Sequence, residues 1–304
     1  MPRIPLTFEQ VRQRAIDAIA DCQDMVTDTD SRDDPQIIHD LRITGKRLRA
    51  WGRLMRQTWG DATWRSVDGW IRQMCHLLAG ARDQLVCQQT LNQLTEISQA
   101  RSKTKTLSSL GRLQQHWTSL QSNTPPQNQP VDWPQVTKQL SLIYEHWHNH
   151  PCQDLCPKQQ QRHLSARLQN TYTKARRLGR QVHNDAPNTD PLLCHRFRKW
   201  LKHLLYQLEL LSTFNPHINK LNKLQSKLKT ITDVLGDHHD LSQLADQIHE
   251  RTNELDDKAV KRVTKLMRQE QTDLLTHAMK KFRQVFEEKS EKWVKGICGS
   301  CKPR

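Results

Sequence analysis

Apolar residues recur at spacings of three and four along most of this chain, and no segment alternates convincingly between apolar and polar residues. The first pattern is the period of an amphipathic helix, and the second would be needed for a half-buried strand. Because only 35% of the residues are apolar, a core must be assembled from narrow stripes on long helices. The sequence therefore predicts an all-α fold.

Breaks in this pattern separate nine predicted helices. They span 6–28, 35–58, 63–98, 104–121, 134–149, 158–184, 190–212, 216–254 and 257–293. Acids and a proline at 30–35 are typical of a helix start, and four prolines in 122–134 predict a linker.

Two motifs recur later in the chain at a nearly constant offset. The segment HDLRITGKRLRAWGRLM from His39 aligns with HRFRKWLKHLLYQLELL from His195, which lies 156 residues further on. The segment LAGARDQLV from Leu78 aligns with LGDHHDLSQ from Leu235, at an offset of 157. Two motifs in the same order at nearly one offset predict an internal duplication.

The duplication predicts two four-helix bundles that lie side by side. We expect a first helical half at about 6–121, a linker with an extra helix at 122–157, and a second half at about 158–293. A flexible tail is expected at 294–304.

The helix predicted at 35–58 carries two separate stripes. The apolar stripe, which we expect to be buried, consists of Ile37, Leu41, Thr44, Leu48, Trp51 and Met55. The basic stripe has the same spacing and consists of His39, Arg42, Lys46, Arg49, Arg53 and Arg56. On a helical wheel of about 100° per residue the two stripes lie on different faces. With Arg47 included, six cations lie between residues 42 and 56 without an acid, although mixed signs would stabilise an ordinary solvated face.

Charge is segregated on other predicted helices too. The basic residues of the second half that form such stripes are His195, Arg198, Lys199, Lys202, Lys220, Lys223 and Lys227. The segment 158–180 holds seven cations and no acid, whereas acids collect at 250–257 and 287–291. This placement predicts a basic patch.

A net charge of +15 destabilises the compact state by self-repulsion, which favours an anionic partner. Arginine forks fit phosphate oxygens two at a time, and stripes on several packed helices would line a groove or channel. A linear chain of phosphates, inorganic polyphosphate, suits such a channel. Nucleic acid is the first alternative, but single strands favour aromatic platforms among the cations, and Trp51 lies in the apolar stripe. A solvated basic face without a special partner is the other alternative.

His39 and His195 begin the two basic stripes, and two roles are open for them. They are either structural donors at a helix start or direct phosphate ligands that bind more strongly when protonated, near or below pH 6.5. The aligned Asp83 and Asp240 are expected to be structural.

Catalytic chemistry is not expected. The sequence has no glycine-rich phosphate loop and no acidic cluster suited to Mg²⁺, so we expect a binding protein that needs no metal or cofactor. A polyphosphate-processing enzyme is the remaining alternative. Metal binding by the cluster from His146 to Cys156, or by Cys298 with Cys301, is left open. With no apolar signal core and no membrane-length apolar run, a cytoplasmic location without membrane contact is expected.

The two motif pairs resemble the CHAD family, the conserved histidine α-helical domain. The family pattern is a histidine followed by basic residues at plus three, seven, eight and ten. It corresponds to His39, Arg42, Lys46, Arg47 and Arg49, and in the second copy to His195, Arg198 and Lys202. The second copy departs from the pattern at His203 and Leu205. LAGARDQL and LGDHHDL resemble the family's Leu-Gly-x-x-Arg-Asp-Leu-Asp motif.

The resemblance spans roughly 6–293 and implies two four-helix bundles related by pseudo-twofold symmetry. It further implies a basic surface or pore that binds polyphosphate, and an association with polyphosphate granules. Many members are fused to a CYTH triphosphatase domain, whose Glu-x-Glu-x-Lys motif is not found here. We therefore expect a stand-alone CHAD protein whose two halves contribute unequally.

Overall fold

The structure, a computed structural model, describes residues 6–123, 131–150, 155–186, 189–214, 219–250 and 257–298, with the backbone alone at 80–85 and 116–123. Throughout these residues the chain is helical and contains no strand. The prediction of an all-α fold is confirmed.

Eleven helices occupy the described ranges. They are α1 (Phe8–Thr27), α2 (Pro35–Trp59), α3 (Asp61–Leu77), α4 (Gly80–Ala100), α5 (Thr104–Asn123), α6 (Trp133–Asn149), α7 (Pro157–Asp185), α8 (Pro191–Phe214), α9 (Asn219–Glu250), α10 (Asp257–Val285) and α11 (Ser290–Cys298).

The start of α2 follows from its sequence. The Asp34 side chain accepts a hydrogen bond from the Gln36 N–H, and Pro35 takes the first helical position, where its missing N–H is not needed. Leu41, Leu48, Trp51 and Met55 of the predicted apolar stripe are buried. Ile37 and Thr44 are half-buried.

Two of the predicted helices are divided in the structure. The helix predicted at 63–98 is α3 followed by α4, with a break at Leu78 and Ala79. The helix predicted at 257–293 is α10 followed by α11. The tail predicted from residue 294 is wrong for 294–298, because Val294 and Ile297 of α11 are buried. Residues 299–304 lie outside the described part of the chain.

Two apolar clusters hold the helices together. The larger cluster draws on α1, α2, α3, α6, α7, α8 and α11, with the N-terminal part of α9 and the C-terminal part of α10. The smaller one is formed by α4, α5, the C-terminal part of α9 and the N-terminal part of α10. Helices from the first and second halves of the chain therefore share both clusters.

The two halves meet where α2 packs on α8. The indole N–H of Trp51 donates to the Tyr206 carbonyl over 3.1 Å, and the Gln207 side-chain amide donates to the Ala50 carbonyl over 2.9 Å. Trp51 and Gln207 are 156 residues apart, the offset of the first motif pair. Equivalent positions thus exchange buried hydrogen bonds across the contact, as a twofold arrangement requires. The internal duplication itself stays a prediction.

Helix α2 lies very close to α3 because it carries small residues at the contact. A Cβ atom added to Gly52 would overlap the Trp64 ring. We expect Gly52→Ala to lower the free energy of unfolding by about 1–3 kcal/mol through overpacking. Gly69→Ala is the matched control, because a Cβ there meets no atom within 4 Å. That change should stabilise the protein by about 0.5–1 kcal/mol through helix propensity. Chemical denaturation measures both, and equal effects of the two substitutions would contradict the close packing.

Candidate functional site

A concave pocket of about 300 Å³ lies where α2, α8 and α9 meet, with α4 at its edge. Its cations come from both halves of the chain: Arg42, Lys46, Arg49, Arg198, Lys199 and Lys202. Among the described residues that line it, Asp240 is the one carboxylate. The remaining lining residues are Val86, His195, His203, Tyr206, His239 and Gln243. The pocket is therefore a strongly positive concavity.

Two arginines of the pocket are anchored in the same way. Arg42 Nη1 donates to the Cys75 carbonyl over 2.8 Å, which ties α2 to α3. Arg198 Nε donates to the Thr232 carbonyl over 3.1 Å, which ties α8 to α9. Because a guanidinium has five N–H donors in a fixed fork, one anchored donor orients the others. These arginines thus serve both the helix packing and the pocket.

The equivalence extends to other residues of the pocket. Lys46 and Lys202 both line it and are 156 residues apart, while Val86 and Gln243 are 157 apart. Gly236 accommodates Arg198, since a Cβ there would lie 2.8 Å from Arg198 Nη2. The predicted Asp83 lies among the residues whose side chains are not described, whereas Asp240 lines the pocket.

Two of the histidines that line the pocket, His195 and His203, have lowered pKa values. Burial, with neighbouring His239, Lys199 and Arg198, lowers the pKa of His195 to about 4. Burial, together with Arg53, Arg49 and Lys199, lowers the pKa of His203 well below its usual range. Burial is the largest cause at His195, and the surrounding cations add to it because they oppose a further positive charge. Protonation of His195 near pH 6.5 therefore needs a bound anion that raises this pKa.

Arg49 and Lys199 differ in whether a nearby carboxylate balances their positive charge. Arg49 Nε lies 2.7 Å from Asp68 Oδ1 of α3, and the same carboxylate reaches Arg72 over 2.9 Å. Burial, and then the charge of Arg49, lowers the pKa of Lys199. Within the described residues no carboxylate lies within 4.0 Å of the Lys199 ammonium. Lys199 thus lacks a close carboxylate partner among the described residues, which favours an anion beside it.

The C-terminal part of the predicted basic stripe points elsewhere. Arg53 lies 4.7 Å from the Trp200 ring centroid and 5.7 Å from that of Trp64. Burial lowers the pKa of its guanidinium to about 10. Arg56 Nε pairs with Asp61 over 2.7 Å. These two cations are engaged by α3 and α8 and do not line the pocket.

The other predicted site residues lie around or away from the pocket. His39 is half-buried on α2, one turn before Arg42. Arg47 lies beside the pocket, 3.7 Å from Glu209 and with its guanidinium 5.9 Å from the Tyr206 ring centroid. Lys220, Lys223 and Lys227 are exposed on α9 and do not line the pocket.

Several residues that shape this pocket were missed at the level of sequence. Tyr206 and His203 lie on α8 between the basic positions, and His239 comes from the second motif beside Asp240. Asp68 lies on another helix, so the absence of acids within 42–56 did not reveal it. The repeat alignment was the signal that could have placed His239 in the pocket, because it falls on Arg82 of the first copy.

The metal sites left open find no support in the described residues. No group of three or more His, Cys, Asp or Glu side chains suited to a metal ion occurs there. His146 is buried among Trp59, Trp70 and His150, and burial lowers its pKa to about 4. Cys152 and Cys301 lie outside the described part.

None of the described helices combines the length and apolar character needed to cross a bilayer.

Comparison with protein families identifies the chain. The pattern of the CHAD domain matches residues 10–249, which is more than half of the 304 residues. The chain therefore belongs to the CHAD family, whose domain is associated with polyphosphate. No CYTH domain is found in the chain. Comparisons with curated proteins and with solved structures found no significant match.

Proposed function

We propose that this protein binds inorganic polyphosphate in the pocket between α2, α8 and α9. The observation that carries the proposal is the convergence of six cations from two halves of the chain on one concavity, where Asp240 is the single carboxylate among the described lining residues. A phosphate chain brings closely spaced negative charges and acceptor oxygens, which suit anchored arginine forks flanked by lysines. Binding would relieve the repulsion that adds to the effect of burial in lowering the pKa values of His195 and Lys199.

The proposed role is binding without hydrolysis. Phosphoryl transfer needs a group that activates the nucleophile and, in most enzymes, a metal held by carboxylates. Among the described lining residues Asp240 is the lone carboxylate, so this part of the pocket offers cations without a cluster of acids that would hold a metal. Binding without turnover fits a protein that attaches itself to polyphosphate granules.

Nucleic acid is the second candidate, because its phosphates would be attracted by the same charge. Sequence-tolerant binding of single strands relies on aromatic rings that stack with bases. Tyr206 is the only aromatic residue other than histidine among the lining residues, and it is buried. This composition favours a phosphate polymer without bases.

Lys46 and Lys202 provide the most direct test, since they occupy equivalent positions in the pocket. We expect Lys46→Gln with Lys202→Gln to weaken polyphosphate binding at least about tenfold, because hydrogen bonds to charged groups contribute about 1.5–3 kcal/mol each. Calorimetric titration with tripolyphosphate and with long-chain polyphosphate at matched salt measures the change. The control is Lys261→Gln with Lys265→Gln, which removes the same charge from exposed positions of α10. Equal losses of polyphosphate affinity in both variants would contradict the assignment of the binding site to the pocket.

Binding should be accompanied by proton uptake at His195. A phosphate chain stabilises the imidazolium and so raises the His195 pKa from about 4. Affinity should therefore increase as pH falls from 7.5 toward 5.5, with a slope of up to about one proton. Titrations in buffers of different ionisation enthalpy measure the uptake. His195→Gln should remove this component, and an unchanged pH dependence in that variant would exclude His195 as its origin.

Incubation with long-chain polyphosphate and Mg²⁺ tests the absence of turnover. We expect the polymer to keep its length on gels and no orthophosphate to accumulate above a buffer blank. Release that disappears in the Lys46→Gln, Lys202→Gln variant would instead establish a processing enzyme.

A further inference from the structure

A second basic surface lies on α7 and α8, outside the pocket. It consists of Lys174 and Arg177, which are one turn apart on α7, and Arg196, which lies one turn before Trp200 on α8. We call these three cations the α7–α8 ridge. Arg177 and Arg196 are exposed, and Lys174 is half-buried with its ammonium 5.9 Å from the Trp200 ring centroid.

The positive charges of the ridge repel one another, and no described acidic side chain pairs with them. Burial, followed by the charges of Arg177 and Arg196, lowers the pKa of Lys174. Within the described residues, no carboxylate lies within 4.0 Å of these three side chains. Like charges on neighbouring helical turns, without acids beside them, destabilise the folded protein unless an anion lies over them.

The ridge is linked to the pocket through a short series of contacts. Lys199 lines the pocket and is close enough to Arg53 for that charge to contribute to lowering its pKa. Arg53 lies over Trp200 at 4.7 Å, and Trp200 also carries Lys174. Positive charge therefore continues from the pocket, past Lys199 and Arg53, to the ridge.

We propose that the α7–α8 ridge is a second binding segment for a linear polyanion, which a phosphate chain reaches when it extends out of the pocket past Lys199. The inference rests on the proposed function, since it concerns the part of the polymer that the pocket leaves uncovered. Trp200 already contacts two cations, so it supports them and does not offer an open ring for a nucleobase. This arrangement favours polyphosphate over single-stranded RNA on the ridge.

The ridge makes binding depend on chain length. Tripolyphosphate is short enough to occupy the pocket alone, whereas a long chain contacts both surfaces and gains from the tethered second contact. Removing the ridge should therefore weaken long chains selectively.

The test compares Lys174→Gln with Arg177→Gln and Arg196→Gln against a matched control. The control is Lys261→Gln with Arg262→Gln and Lys265→Gln, which removes three exposed cations from α10. We expect the ridge variant to bind tripolyphosphate like the wild type and long-chain polyphosphate at least about tenfold more weakly than the control variant does. The slope of log affinity against log salt for long chains should fall by roughly two, because each lost phosphate contact removes about 0.7–0.9.

The outcomes separate this inference from the proposed function. If the ridge variant and the control bind long chains equally, the ridge is a solvated face and the inference is overturned, although binding in the pocket stands. If the ridge variant loses affinity for single-stranded RNA alone, the ridge serves another polymer and the inference fails. If the wild type does not bind tripolyphosphate, the proposed binding site in the pocket is wrong, whatever the ridge variant does.

Discussion

The rest of this structure depends on a repulsive arrangement, in which cations from two packed helices face one concave space. The contact between α2 and α8 brings Lys46 and Lys202 into the same pocket, where their like charges repel each other. Buried hydrogen bonds from Trp51 and Gln207 to carbonyls of the opposite helix hold the contact in place. An unpaired buried donor is costly, so these bonds fix the register of the two helices against the repulsion of the charges beside them.

The arrangement also explains why only some of the many cations belong to the pocket. Arg42 and Arg198 are tied to carbonyls of the neighbouring helices, which limits the freedom of long side chains before any ligand is bound. Arg53 and Arg56 are instead engaged by tryptophans and by Asp61. Acids or aromatic rings of neighbouring helices thus engage Arg49, Arg53 and Arg56, and of these three only Arg49 also lines the pocket.

Periodicity alone predicted the all-α fold and the buried positions of Leu41, Leu48 and Trp51, because burial of one face follows directly from spacing along one helix. The repeat alignment predicted that Arg42 and Arg198 occupy related positions. Sequence could not reveal that Asp68 of α3 neutralises Arg49, or that Lys220, Lys223 and Lys227 lie outside the pocket. Those facts depend on the rotation of each helix against its neighbours, which local spacing does not fix. The division between α10 and α11 was missed because the helical period continues through 286–289.

The smaller apolar cluster has a consequence for how the chain is made. It combines Leu91 of α4 and Leu110 of α5 with Leu244 of α9 and Val263 of α10. α4 and α5 pack against each other, but the residues of the cluster on α9 and α10 are synthesised more than 100 residues later. During that interval the N-terminal half carries an uncovered apolar surface, and a truncated product ending at 124–130 would keep it. Apolar surface that stays uncovered in this way makes such a fragment prone to aggregation.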